Sequence, residues 1–309
     1  MYSKLLNLIE EYNDICIFRH VRPDGDATFS SLALYYFLKD NFKNKNIKIG
    51  GNEKFDLVSK NDKISDKLIQ KSLVIILDTA TSERIDDFRA LAGKYVVKID
   101  HHPITEQYGE LNIVNPNASS ASEVLAKILL SSKFNKYKIS QKVYEYLFCG
   151  ILTDTLCFKT ANTTSNTLKI ASKLVEYGNL KISDLYEYIN DVNIDTYNKI
   201  SKLRTYLKVE NSFGLIKLDK KALVKLDMDA LEAKNQIDEI GGIKELKVWA
   251  IATENEDGWD CSLRSKRPYV INKFTYKYGG GGHPNACAVK HVSLSQINSL
   301  IKEISEFSK

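Results

Sequence analysis

The sequence predicts an α/β protein: an N-terminal, mainly parallel sheet flanked by helices, then linker helices, then a smaller C-terminal α/β domain with a mixed sheet. Three observations carry this. Short β-rich apolar runs alternate with amphipathic stretches in the first part of the chain, as strands buried on both faces and joined by helices do. After about Leu207 the pattern changes to strand-like runs, a glycine-rich segment and a terminal helix. The length of 309 residues suits about two domains at roughly 150 residues each.

Taken in order, Ile15-Cys16-Ile17-Phe18 reads as a buried strand and Ser31 to Lys39 as a helix. Ile47-Lys48-Ile49 is a short strand ended by Gly50-Gly51. Leu73 to Leu77 is the clearest buried strand, and Tyr95 to Ile99 is another. Ala121 to Leu130, Gln141 to Ile151, Thr167 to Tyr177 and Asp195 to Leu207 follow with helical periodicity. Phe213 to Leu218 and Lys247 to Ala252 are strands again. Gly279 to Gly282 precedes a further strand and the terminal helix Leu294 to Phe307. The domain boundary is expected in the helical stretch 186–208, where no Pro/Ser-rich linker marks it.

Composition narrows the function class. Hydrophobic residues are 43% and charged residues 27%, which excludes a disordered chain and a disulfide-stapled miniprotein. Lys+Arg total 44 against 39 Asp+Glu, a net charge of +5 that permits an anionic substrate without the dense basic clusters of a polymer-coating protein. The longest apolar runs, such as Leu73 to Leu77, fall far short of the ~20 residues of a membrane span. Lys4, Glu10 and Glu11 interrupt the N-terminal stretch, which has no signal core. Five scattered cysteines with no CxxC pair indicate reduced, mostly buried thiols and a cytoplasmic protein.

The chain has five histidines, and four sit in unusual settings. His20 follows the first strand and opens His20-Val21-Arg22-Pro23-Asp24-Gly25-Asp26. Asp78 ends the strongest strand, Asp100-His101-His102 ends the next, and Asp154 follows Gly150-Ile151-Leu152-Thr153. In a parallel sheet the C-terminal strand ends share one edge, where ligands bind. Three strand ends thus deliver imidazoles and carboxylates to one crevice. That mixture suits manganese, iron or zinc better than calcium, which prefers an all-oxygen shell. Two ions about 3.5–4 Å apart need a bridging group, and Asp78 is well placed to bridge. Pro23 and Gly25 shape a tight turn from which Asp24 and Asp26 can face different ions. In the second part, the glycine run lets backbone N–H groups approach an anion, His283 adds a donor, and Arg264 suits bidentate phosphate contact.

These residues resemble the DHH phosphoesterase superfamily. The matching motifs are His20-x-x-Pro23-Asp24-Gly25-Asp26, Asp78 after an apolar strand, Asp100-His101-His102, and Gly150-Ile151-x-Thr153-Asp154-Thr155. Ser262-Leu263-Arg264-Ser265 and Gly280-Gly281-Gly282-His283 resemble the first type of DHH-associated substrate domain. The group most like this chain is that of the nanoRNase/pAp phosphatases. The resemblance implies a catalytic metal-binding domain over 1–190, a helical linker over 191–207 and a substrate-binding domain over 208–309.

It further implies one ion on His20, Asp24 and Asp78 and a second on Asp26, Asp78, His101 and Asp154, with Asp78 bridging. Manganese is the usual family metal, with Mg2+, Co2+ or Fe2+ as alternatives. His102 and Asp100 are the expected catalytic pair: His102 near the attacked phosphate, Asp100 orienting the histidines. Arg264, Gly280, Gly281, Gly282 and His283 are expected to bind substrate. The implied activity is hydrolysis of short oligoribonucleotides and of pAp, by two-metal activation of a bridging hydroxide. A cleft between the two parts would favour short substrates.

The implied partners are short RNA or nucleotides (nanoRNA, pAp, pApA) and no membrane, with a homodimer as an open option. A phosphodiesterase for pApA or cyclic di-AMP needs the same motifs. A catalytically inactive nucleotide-binding regulator would have lost metal ligands, and all six are present. Phe29, Leu156 and Ala288 stand where the family pattern commonly has Gly, so larger side chains are expected where backbones approach closely.

Overall fold

The apolar runs become the central strands of two sheets in the computed structural model, which describes residues 1–51 and 61–309. The chain divides into two units, Met1–Asp191 and Val192–Lys309. In the first unit, β1 (Asp14–Phe18), β2 (Asn46–Ile49), β3 (Leu73–Leu77), β4 (Tyr95–Asp100) and β5 (Leu111–Val114) form a sheet of order β2-β1-β3-β4-β5. Every pairing is parallel. The chain runs outward from β1 to β2 and then returns past β1 to β3. The strand order therefore reverses between β1 and β3, and a crevice opens at their carboxyl ends.

Among the described residues, seven helices accompany this sheet: α1 (Tyr2–Glu11), α2 (Gly25–Asn41), α3 (Asp66–Lys71), α4 (Ala121–Leu129), α5 (Gln141–Asp154), α6 (Ser165–Gly178) and α7 (Ile182–Asn190). Alternate strand residues serve opposite faces. Ile15, Ile17, Ile75, Leu77, Val97 and Ile99 join the large core. Cys16, Phe18, Val74, Ile76 and Val96 join a smaller one with Ile64, Ile69, Ile85 and Ala90. Helix α2 begins at Gly25, six residues before the sequence expectation, because Asp24 caps it by accepting a hydrogen bond from the Ala27 N–H at 3.1 Å. Strand β5 was not expected, since Asn112 breaks its short apolar run; burial there alternates, as at a sheet edge.

Glu123, fully buried in α4, organises the segment before that helix. Its carboxylate accepts from the Ser119 N–H at 2.9 Å, the Ser119 hydroxyl at 2.8 Å and the Thr167 hydroxyl at 2.8 Å, and it pairs with Lys127. Burial raises its pKa, but Lys127 and these donors outweigh that and hold it below 4.5. A depressed folded-state pKa gives stability that is present above 4.5 and lost as pH falls through the lowered value. Glu123→Gln is expected to cost about 1–3 kcal/mol at neutral pH. The gap from wild type should shrink in acid. Urea titrations across the pH range check this, and a pH-independent gap contradicts it.

The second unit contains a mixed sheet of order β10-β11-β9-β8-β7-β6. Its strands are β6 (Lys208–Glu210), β7 (Phe213–Leu218), β8 (Val248–Asn255), β9 (Gly258–Ser265), β10 (Gly281–His283) and β11 (Ala286–Val292). Only β7 and β8 pair in parallel. Its helices are α8 (Ile194–Arg204), α9 (Lys220–Leu226), α10 (Ala230–Asn235) and α11 (Leu294–Phe307). One sheet face, with Ala250, Cys261, Leu263, Cys287 and Val289, packs with α11 residues Ile297, Leu300 and Ile304. On the other, Ile216, Leu218, Trp249 and Ile251 pack with α9 and α10 residues and Leu203 of α8. All five cysteines are free thiols, and all but Cys157 are buried. Among the described residues, no helix is long and apolar enough to cross a membrane.

Candidate metal centre

The crevice between β1 and β3 receives side chains from four directions. His20 lies just past β1, held by a bridge to Ile85. Its Nδ1 is 2.8 Å from the Val21 carbonyl, so the ring proton sits on Nδ1 and the Nε2 lone pair is open. That Nε2 is 3.7 Å from Asp24 Oδ2 and 3.6 Å from Asp78 Oδ2. Asp78 directly follows β3 with φ +51°, a left-handed conformation rare for residues other than glycine. Its other oxygen, Oδ1, is 3.4 Å from His101 Nε2. His101 Nε2 is in turn 3.5 Å from Asp154 Oδ2.

Asp26 is buried in the first turn of α2 and faces α4. It accepts from the Ala121 N–H at 2.6 Å and the Ser122 N–H at 3.0 Å, so the positive end of α4 stabilises its charge. Asp154 sits at the end of α5. It reaches the centre because Gly150 lets α5 approach closely: a Cβ there would lie 1.9 Å from Ser122 Oγ and 2.9 Å from Asp26 Oδ1. Asp100 ends β4 and accepts from His102 Nδ1 at 2.8 Å, which leaves His102 Nε2 for a ligand.

The structure gathers His20, Asp24 and Asp78 so that their ligand atoms lie within 4.8 Å of one another, and does the same for Asp26, His101 and Asp154. Asp78, His101 and His102 form a third, overlapping group. Two features fit a pair of divalent ions. Asp78 Oδ1 is buried with no hydrogen-bond partner, a costly state that a cation would relieve. The open imidazole nitrogens and the carboxylates are also a donor set suited to transition metals.

Electrostatics agree. Burial would lower the pKa of His20, but Asp24 and Asp78 outweigh it and raise the value to about 10. Burial likewise opposes, and Asp78, Asp154 and Asp26 support, a rise to about 10 for His101. Burial, with the charges of Asp78 and Asp24, pushes Asp154 up to about 7. Burial and then Asp78 and Asp154 push Asp26 up as well. Each of these shifts favours the protonated form, so metal binding at the cluster would be coupled to proton release.

In the second unit, Arg264 on β9 and His283 on β10 both pair with Ala286 of the intervening β11. Directly paired residues share a sheet face, so the two side chains leave the same face on either side of a small residue. The glycine run divides by role. A Cβ on Gly280 would lie 2.4 Å from the Ala288 carbonyl, and one on Gly282, at φ +132°, 2.5 Å from the Ala286 carbonyl. A Cβ on Gly281 would meet nothing within 4 Å. The expectation of crowding at Leu156 does not hold. Its side chain is 44% exposed, and it opens a run of left-handed residues with Cys157 and Phe158 (φ +46°, +58° and +67°). Glycine suits that position for its backbone freedom. Phe29 is buried and stacks on Tyr146 at 5.9 Å.

Sequence reasoning passed over Lys98 and Glu123. The signal for Lys98 was a lysine inside the apolar run Tyr95 to Ile99.

This fold and site define a hydrolytic phosphoesterase with a two-unit chain. The chain belongs to the DHH family: the model of the DHH family N-terminal domain matches residues 14–151 and that of the DHHA1 domain residues 219–309. It is 36% identical to the "Probable bifunctional oligoribonuclease and PAP phosphatase NrnA" of Streptococcus mutans, across 100% of this chain and 99% of that one. It is 34% identical to the "Bifunctional oligoribonuclease and PAP phosphatase NrnA" of Bacillus subtilis, with the same coverage. Among solved structures, an exopolyphosphatase-related protein from Bacteroides fragilis superposes with a TM-score of 0.87 at 25% identity, covering 99% of this chain and 95% of that one.

Proposed function

We propose that the protein is a cytoplasmic, manganese-dependent phosphoesterase that hydrolyses oligoribonucleotides of about two to five residues to mononucleotides, and pAp to AMP. The observation that carries this is Asp78, whose two oxygens face two different histidines and so belong to two ligand sets. The substrate pair is that of the full-length relatives' names. His20, Asp24 and Asp78 would hold one ion, and Asp26, Asp78, His101 and Asp154 a second. Bound there, such ions supply Lewis-acid charge and lower the pKa of the attacking water.

The remaining work falls to the chain's own residues. His102, fixed at Nδ1 by Asp100, offers Nε2 to a phosphoryl or leaving-group oxygen. Arg264 and His283, with the backbone of Gly280, Gly281 and Gly282, are read as substrate-binding groups, Arg264 gripping phosphate bidentately.

The test is purified full-length protein, stripped with chelator and resupplied with manganese, against pAp, pApA, RNA of two to five residues, long RNA, cyclic di-AMP and pyrophosphate. The metal-free protein should be inactive, and manganese should restore turnover of pAp and short RNA above the other substrates. Manganese at 100 times its Kd should also stabilise the fold by about 2.7 kcal/mol. Full turnover without metal, or a preference for pyrophosphate, sinks the reading.

A further inference from the structure

Lys98 lies in the middle of β4 with a side chain that is 0% exposed. A buried parallel strand ordinarily fills such a slot with Val or Ile, and a buried ammonium is costly unless fully paired. Its Nζ donates to the Ala80 carbonyl at 2.7 Å and the Glu106 carbonyl at 3.1 Å, and stands 3.2 Å from Asp100 Oδ2. The Tyr108 ring lies beside it, 4.8 Å from Nζ to the centroid. Two hydrogen bonds to carbonyls thus hold the ammonium, and its charge faces the carboxylate.

Asp100 is divided in a complementary way. Its Oδ1 accepts from the His101 N–H at 2.8 Å, the His102 N–H at 3.3 Å and His102 Nδ1 at 2.8 Å. Its Oδ2 is buried, accepts no aligned hydrogen bond and faces Lys98. Lys98 and Asp100 are two residues apart on one strand, so their side chains leave the same face. Ala80 follows Asp78, so the same ammonium also ties the end of β3 to the end of β4.

We propose that Lys98 is a positioning residue for the hydrolytic reaction: its ammonium fixes the Asp100 carboxylate, and Asp100 fixes the tautomer and orientation of His102. This rests on the phosphoesterase reading above. Without the cation, Asp100 is a buried carboxylate with one end uncompensated. It is then free to rotate, and that rotation loosens His102.

Two variants test it in the full chain. Lys98→Met is of similar length and uncharged. Lys98→Gln, one atom shorter, keeps amide donors that can reach toward the Ala80 and Glu106 carbonyls and removes the charge. With manganese and a short RNA, kcat should fall about 10- to 100-fold while KM stays within about threefold. In a His102→Ala background, Lys98→Gln should change kcat by less than about twofold, because the two residues act as one unit. A second readout does not depend on turnover. In histidine-labelled protein, the Nδ1–H resonance that His102→Ala removes should shift or vanish in Lys98→Gln.

Losses that multiply in the double variant overturn the proposal. An unchanged His102 resonance in Lys98→Gln overturns it too, as does loss of the fold in both single variants by circular dichroism. If the wild type turns over no phosphoester, the phosphoesterase reading fails on its own, and the resonance still decides whether Lys98 controls His102.

Discussion

Asp78→Asn is expected to lower kcat/KM by at least about a thousandfold, roughly 4 kcal/mol of transition-state stabilisation. The substitution is nearly isosteric, so the fold should survive. What changes is the charge between two ligand sets. Asp78 Oδ2 lies 3.6 Å from His20 Nε2, and Oδ1 lies 3.4 Å from His101 Nε2. An amide offers one oxygen in place of two and no negative charge, so neither of the proposed ions would keep its full complement of ligands. Calorimetric titration with manganese should show two ions bound by the wild type and a weakened or lost second ion in the variant. Retention of activity within tenfold would falsify the shared role of this carboxylate.

Gly150→Ala should act on the same centre through packing. The new methyl would fall 1.9 Å from Ser122 Oγ, 2.8 Å from Ser122 Cβ and 2.9 Å from Asp26 Oδ1. Ser122 is fully buried, so it has little room to give, and α5 must shift away from α4. Overpacking of this kind costs about 1–3 kcal/mol, or about 2–12 °C in Tm for a unit of this size. The shift also carries Asp154 and Asp26 off their positions, so manganese affinity should weaken about 10- to 100-fold. Ser122→Gly in the same chain removes two of the three collisions and should recover part of the Tm. An unchanged Tm with unchanged manganese affinity contradicts the account.

Much of this site was legible because its chemistry is local. His20, Asp78 and Asp100-His101-His102 each follow an apolar run, and the C-terminal end of a buried strand has one address in a parallel sheet. Other features had no such local mark. Asp154 comes from a helix end, and its place beside His101 depends on how closely α5 packs, which Gly150 permits. Asp26 could be read as a ligand candidate, yet its two bonds to the N-terminus of α4 join residues nearly a hundred positions apart. The glycine run was read for anion approach, whereas Gly280 and Gly282 are also required by the carbonyls of β11. Leu156 was expected to crowd its neighbours, and the backbone conformation explains the glycine preference there instead.

The sequence by itself determined the α/β class, the order of the strands' apolar runs and which strand ends carry imidazoles and carboxylates, because periodicity and residue chemistry are written along the chain. Only the tertiary structure decided which carboxylate oxygen faces which histidine, which helix end stabilises Asp26, and that Lys98 lies against Asp100. Those are distances of about 3–4 Å between segments far apart in the chain, and at that range charge and hydrogen-bond energies change steeply with position.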